Sequence, residues 1–125
     1  MAAAKKTTTI RGQFIAHRVE MLESPAWASL PLACRRILDR LEIEHAGHGG
    51  KENGNLPCTY GDFEDFGIRR KSVADAVRKL VALGFIEVTH QGRGGIGEWR
   101  QASRYRLTYL PTKKANPTDD WRGRS

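Results

Sequence analysis

The sequence predicts an α+β domain in which helices come first and a β hairpin follows. Two observations predict it. Apolar residues recur at helical spacing in the first two thirds of the chain, and they alternate in two later segments that a glycine-rich stretch separates. The 125 residues are enough for one hydrophobic core. We therefore expect a flexible basic arm over residues 1–12, one domain over 13–110 and a flexible tail over 111–125.

One short helix, from Phe14 to Leu22, and one longer helix are expected before the middle of the chain. Ile15, Val19 and Leu22 recur at helical spacing, and Ser24-Pro25 then interrupts the pattern. A longer helix is predicted from about Pro31 to His45. Its apolar stripe consists of Leu30, Cys34, Ile37, Leu38 and Leu41, and the residues expected to face away are Arg35, Arg36, Asp39, Arg40 and Glu42.

A short strand and a short helix follow the polar stretch "AGHGGKENGN". "LPCT" is expected to be an edge strand because Pro57 lacks an amide donor. Thr59 and Asp62 have the spacing of an approximate capping box, which predicts a helix from Tyr60 to Phe66 that buries Phe63 and Phe66. Gly67 is then expected to end this helix in a left-handed conformation.

The last predicted helix covers residues 70–83 and has two different faces. Val73, Val77, Leu80 and Val81 form an apolar stripe, whereas charged residues occupy the opposite side. Beyond Gly84, the segments "FIEVTH" and "SRYRLTYL" alternate, so that Ile86 and Val88 share one face and Tyr105, Leu107 and Tyr109 share another. These segments should pair as a hairpin across "QGRGGIGEWRQA", a loop with four glycines.

The order helix, short strand, "TYGDFEDFGIRRKSVADAVRKLVALGFIEV", glycine-rich loop and "SRYRLTYL" resembles the winged helix-turn-helix DNA-binding domains of bacterial regulators and of plasmid or phage replication proteins. The resemblance extends from Phe14 to Leu110. It implies a three-helix core with a short extra N-terminal helix, a recognition helix over 70–83 and a β-hairpin wing over 91–100. Arg69 departs from the pattern, because many relatives have Ser, Thr or Asn there as a helix cap.

The distribution of charge agrees with a DNA partner. The chain has 21 Lys and Arg against 14 Asp and Glu, a net charge of +7, which favours a polyanionic partner. Residues 67–106 carry nine cations and three acids, and therefore most of that surplus. Outward Lys and Arg of a helix in the major groove can donate to guanine O6 and N7. We assign base reading to Lys71, Ser72, Asp75 and Arg78. Backbone or minor-groove contacts are assigned to Arg69, Arg70, Lys79, Arg100, Lys5, Lys6 and Arg93, the last expected at the wing tip.

The expected function is sequence-specific binding of double-stranded DNA in transcription regulation, without enzymatic activity, cofactor or small-molecule ligand. A replication-initiation or mobile-element protein that binds an origin or recombination site is one alternative, and a protein-interaction module is another. Winged regulators commonly form dimers, so a weak homodimer through the N-terminal helix or tail stays open. We expect a cytoplasmic, nucleoid-associated protein, because no apolar run approaches the roughly 20 residues that cross a bilayer.

Three other patterns receive ordinary interpretations. Gly92, Gly94 and Gly97 fit G-x-G-x-x-G, but a strand rather than the required helix is expected to follow. His45, His48 and Cys58 lack the spacing of a zinc site, and Cys34 and Cys58 are expected to be small core residues rather than a disulfide. Trp121 lies in a polar tail that we expect to be disordered.

Overall fold

The computed structural model describes residues 9–94 and 101–125, which form an α+β fold. The described residues contain five helices and one antiparallel sheet of three strands. The helices are α1 (Val19–Leu22), α2 (Pro25–Ala28), α3 (Leu32–Gly47), α4 (Tyr60–Asp65) and α5 (Arg70–Ala82). The strands are β1 (Leu56–Cys58), β2 (Ile86–His90) and β3 (Ser103–Leu107). The predicted order of helices followed by a hairpin is confirmed.

The N-terminal helix is shorter than predicted. It begins at Val19, and its buried residue is Met21, whereas Val19 and Leu22 are exposed. The residues before Val19 are not helical and make long-range contacts instead. Gln13 Nε2 donates to the Ala46 carbonyl at 3.1 Å, and Ile15 packs on the core. These tertiary contacts replace the helical hydrogen bonds that the apolar spacing had indicated.

The predicted apolar stripe of α3 is confirmed, because Leu30, Cys34, Ile37, Leu38 and Leu41 are all buried. The prediction that Glu42 faces away is wrong. Glu42 is buried and accepts a hydrogen bond from the Tyr109 hydroxyl. Arg36 is half-buried, with its guanidinium 5.2 Å from the centre of the Phe66 ring.

The short helix and the turn after it follow the prediction closely. Thr59 Oγ1 accepts from the Asp62 amide at 3.0 Å, and Asp62 Oδ2 accepts from the Thr59 amide at 2.8 Å, which completes the capping box. Phe63 is fully buried, but Phe66 lies just beyond the helix and is only half-buried. Gly67 has φ of +95°, a conformation that costs glycine little.

The sheet forms around β3. Strands β2 and β3 pair as the predicted hairpin, with Ile86 opposite Leu107 and Val88 opposite Tyr105, and a register shift follows Val88. Strand β1 pairs with the other side of β3, so the order is β1-β3-β2 and β1 is an edge strand as predicted. Helix α5 packs on α3 and buries Val73, Ala76, Val77 and Leu80. Val81, which we predicted in that stripe, is 40% exposed.

The C-terminal segment contributes to the core. Trp121 is 3% exposed, so the prediction that it is disordered is wrong. The segment crosses Gly84, whose φ is +81°, and a Cβ atom there would lie 2.3 Å from the Asp120 carbonyl oxygen. Arg124 also donates to the Ala82 carbonyl at 2.7 Å, at the C-terminal end of α5. The segment therefore fixes the end of α5 against the domain.

Candidate nucleic-acid interface

One side of α5 is a polar surface. Lys71, Asp75, Arg78 and Lys79 are exposed and Ser72 is half-buried, while the opposite side packs into the core. This separation follows from the sequence, because the buried residues recur every three or four positions. All four residues to which we assigned base reading therefore lie on one face of a helix of 13 residues.

Asp75 and Arg78 form an ion pair on this face. Their side chains are 79% and 71% exposed, so solvent screens the attraction and the pair contributes little to stability. The carboxylate occupies part of the guanidinium of Arg78, and the remaining N–H groups can still donate to another acceptor. Lys71, Ser72, Asp75 and Lys79 also border a shallow groove of 350 Å³ between α5 and the beginning of α3.

The beginning of α5 is strongly basic. Arg69 is the N-cap residue and makes no side-chain capping bond, and Arg70 is the first residue of the helix. Cations in this place oppose the helix dipole. Arg70 Nη1 lies 3.3 Å from Glu64 Oε1, and both side chains are about half exposed. Because Arg69 stands in place of a capping Ser, Thr or Asn, two exposed arginines at the start of α5 are available to an anion.

Arg93 lies where the two hairpin strands still pair. Its amide donates to the Gln101 carbonyl and its carbonyl accepts from the Gln101 amide, both at 2.9 Å. The Gly92 amide donates to Ser103 Oγ at 2.9 Å. Arg93 is therefore in a paired position, and the prediction that it lies at the wing tip is wrong. The Arg93 side chain is exposed.

Arg70 and Arg93 line the same cavity, although they come from different elements. The cavity has a volume of 260 Å³, and its other lining residues include Thr59, Tyr60, Gln91 and Ser103. A second groove, of 510 Å³, runs between α5 and the hairpin and is lined by Arg78, Val81, Val88 and Gln91, among others. The two cavities share Tyr60, Gln91 and Ser103, so the start of α5, Arg78 and the base of the hairpin loop border adjoining surfaces.

Two of the nine cations counted between residues 67 and 106 make contacts within the domain. Arg106 contacts Glu87 at 2.8 Å and Asp120 at 3.7 Å, and Arg104 donates to Asn55 Oδ1 at 3.2 Å. These two arginines belong to contacts within the domain, although they contribute to the positive charge of residues 67–106. The predicted contact residues Lys5, Lys6 and Arg100 lie outside the residues that the structure describes.

Sequence reasoning missed a buried polar cluster of Glu42, His17 and Tyr109. His17 Nε2 lies 2.8 Å from Glu42 Oε2, and the Tyr109 hydroxyl donates to the same oxygen. The hydrogen bond to Glu42 raises the pKa of His17, and burial raises the pKa of Tyr109 well above its usual value. The cluster joins the N-terminal segment, α3 and the residues after β3. Hydrophobic alternation indicated an inner position for Tyr109, but it carries no signal for His17 or Glu42 because both are polar.

The cysteines and histidines do not form a reactive site in the described part of the chain. Burial raises the pKa of Cys58 to about 12 and also raises that of Cys34, so both thiols stay protonated at neutral pH. His45 is buried, and His48 lies 2.8 Å from Glu44. Between residues 9 and 94 and from 101 onwards, no three His, Cys, Asp or Glu side chains are grouped to hold a metal ion. No helix within those ranges has the length and apolar character needed to cross a membrane.

Comparison with known proteins adds no assignment. No protein-family model, curated protein or solved structure matches the chain. A functional hypothesis for this chain therefore depends on the geometry and charge of the residues described above.

Proposed function

We propose that this chain is a winged helix-turn-helix protein that binds double-stranded DNA at specific sequences and regulates transcription by occupying a promoter or operator. The observation that carries the proposal is that Arg70 of α5 and Arg93 of the hairpin line one cavity, and that the adjoining groove is lined by Arg78. In this proposal α4, the turn at Gly67 and α5 form the helix-turn-helix, and the β2–β3 hairpin forms the wing.

The dimensions of α5 suit the major groove. Thirteen helical residues span about 20 Å, and the major groove is about 12 Å wide. Arg78 and Lys71 would donate to guanine O6 and N7, Asp75 would accept from cytosine N4, and Ser72 would donate or accept. These contacts would provide sequence preference, because the pattern of donors and acceptors in the major groove differs for each base pair.

The flanking cations suit the sugar-phosphate backbone. Arg69 and Arg70 are at the start of α5, and Lys79 is near its end, so they would contact phosphates on either side of the groove. Arg93 would contact the backbone next to the hairpin. Three or four contacted phosphates, depending on whether two of these cations share one, predict that the logarithm of the binding constant falls with the logarithm of salt with a slope of roughly −3 to −4.

Selection of bound sequences from random duplex DNA, followed by titrations at several salt concentrations, tests this function. We expect one recovered sequence pattern and a steep salt dependence, with affinity falling about 100-fold between 50 and 200 mM salt. Recovery of no preferred sequence, together with weak binding that salt does not change, would refute the proposal. The symmetry of the recovered site would also report whether the protein binds as a dimer.

A matched pair of variants makes the test specific for the proposed face. Lys79→Ala removes a cation from α5, and Lys114→Ala removes an exposed cation from the C-terminal segment, which lines a separate groove with Glu52 and Asn53. Only Lys79→Ala should weaken binding and lower the salt slope by about 1. Equal effects of both changes would indicate attraction by net charge rather than by this face.

A further inference from the structure

We propose that Arg70 and Arg93 bind one and the same phosphate group, so that a single phosphodiester of the duplex occupies the cavity between the start of α5 and the hairpin. This inference rests on the proposed DNA-binding function and assigns a specific site within it. It also changes the role of the hairpin, because Arg93 would act together with a residue of α5 rather than as an independent contact at a loop tip.

The shape of the cavity is the first argument. Its volume is 260 Å³, and a water molecule takes up about 30 Å³ in the liquid, so a phosphate group and several waters can enter. Arg70 and Arg93 both line it, one from α5 and the other from the paired base of the hairpin loop. A ligand that enters this cavity can therefore contact both guanidinium groups together.

The chemistry of the lining is the second argument. Besides the two arginines, its polar side chains are the hydroxyl and amide groups of Thr59, Tyr60, Gln91, Gln101 and Ser103. Among the described residues, none of those that line it carries a carboxylate. Arg70 pairs with Glu64, which does not line the cavity. Two guanidinium groups with neutral donors around them suit an anion with several oxygens, and guanidinium groups bind phosphate through paired hydrogen bonds.

The fixed position of Arg93 is the third argument. Two backbone hydrogen bonds to Gln101 hold its main chain, and Gly92 beside it packs so closely that a Cβ atom would lie 2.3 Å from the Ser103 nitrogen. The backbone of Arg93 is therefore set before any ligand arrives. Arg70 is held by an exposed ion pair with Glu64 at 3.3 Å, which contributes little to stability, so a phosphate can replace that carboxylate.

Salt dependence distinguishes one shared phosphate from two separate ones. The slope of affinity against salt counts the phosphates that are neutralised, at roughly 1 each. Arg70→Gln and Arg93→Gln together should therefore lower the slope by about 1, and the affinity loss in the double variant should be smaller than the product of the single losses. The control is Arg69→Gln with Lys79→Gln, which should lower the slope by about 2 because those cations are assigned to phosphates on either side of the groove.

Neutral methylphosphonates placed at each phosphate of the selected duplex in turn locate the contact. A methylphosphonate at one position should weaken binding by the wild-type protein but not by the double variant. The position at which its effect changes should be the same for both single variants. Two different positions, or a slope change of about 2 for the double variant, would overturn the shared site while leaving DNA binding intact. Failure of the folded wild-type protein to bind any duplex would instead refute the proposed function.

A free phosphate ion has the same chemistry as a phosphodiester, so inorganic phosphate provides a second arm. Inorganic phosphate is titrated onto the protein while the Nε–H NMR signals of Arg70 and Arg93 are recorded. The dissociation constant for phosphate should be in the millimolar range or weaker. Binding of inorganic phosphate at micromolar concentration that survives in the presence of the selected duplex would assign the cavity to a free phosphate compound and overturn the proposal. Circular dichroism spectra identical to those of the wild type confirm that the variants are folded.

Discussion

Asp75 and Arg78 are joined by an ion pair one turn apart on the exposed face of α5. The pair links the only acid on this face of the described helix to the cation that we expect to read guanine. Because both side chains are well exposed, the pair is easily exchanged for contacts to a partner. Base reading by Arg78 is therefore compatible with the ion pair in the free protein.

Arg78→Ala should change the sequence preference of DNA binding, whereas Arg93→Ala should change its overall affinity. A bidentate contact of arginine to guanine provides about 1–3 kcal/mol of discrimination, so Arg78→Ala should reduce the preference for the selected site over its guanine-substituted versions by that amount. Arg93→Ala should weaken binding to all duplexes nearly alike. Competition titrations with the selected site and single-base variants measure both effects. Unselective losses from both changes would contradict the assignment of the reading face.

Gly92 should be far less tolerant of a side chain than Gly94, two residues away. A Cβ atom at Gly92 would lie 2.3 Å from the Ser103 nitrogen, whereas none of the described atoms lies within 4 Å of a Cβ atom at Gly94. Gly92→Ala should therefore destabilise the domain by about 1–3 kcal/mol, and Gly94→Ala should have little effect. Urea denaturation of the two variants measures the difference. Equal stabilities would show that the hairpin base does not pack as described.

Trp121→Ala tests whether the C-terminal segment belongs to the core. Loss of a buried tryptophan side chain should reduce the free energy of unfolding by about 3–5 kcal/mol. Leu32→Ala is the control, because Leu32 is 72% exposed and its truncation should cost less than about 0.5 kcal/mol. Thermal and urea unfolding report both values. A Trp121→Ala variant as stable as Leu32→Ala would place this residue outside the core.

His17 should make the domain more stable in mild acid than at alkaline pH. Its pKa is raised chiefly by the hydrogen bond to Glu42, with Asp39 also near, so its contribution is fully present below about pH 6.5, the ordinary histidine value. The contribution is lost as the pH rises through the higher pKa of the folded state. Burial lowers the pKa of His45, which acts in the opposite direction.

His17→Gln isolates this contribution, because glutamine can still donate to Glu42 but does not titrate. Urea midpoints at pH 5.5 and 8.5 should show that the advantage of the wild type over the variant is greater at the lower pH. Because His45 is present in both the wild type and the variant, its own pH dependence cancels when their stabilities are compared. An advantage that stays constant, or that increases with pH, would contradict the proposed role of the His17–Glu42 contact.

The elements that the sequence predicted well have local signals. The apolar stripe of α3, the Thr59–Asp62 capping box and the alternation of Ile86 and Val88 each depend on residues close together in the chain. The exposed face of α5 was predictable for the same reason, because burial of Val73, Val77 and Leu80 determines which side faces solvent.

The features that were missed depend on contacts distant in sequence. Buried Glu42 accepts from the Tyr109 hydroxyl, and the segment that carries Trp121 crosses Gly84, where a Cβ atom would lie 2.3 Å from the Asp120 carbonyl oxygen. Convergence of Arg70 and Arg93 on one cavity depends on the packing of α5 against the hairpin, which periodicity does not encode. The pairing of Arg93 with Gln101 was also unpredictable, since glycine permits pairing at many registers.

Methylation interference on the selected duplex tests the central claim most directly, because a methyl group on guanine N7 blocks a helix in the major groove. We predict that methylation of at least one guanine prevents binding by the wild-type protein, and that Arg78→Ala no longer distinguishes methylated from unmodified guanine at one of those positions. Binding that no guanine N7 methylation affects would contradict the account of α5 as the element that reads DNA.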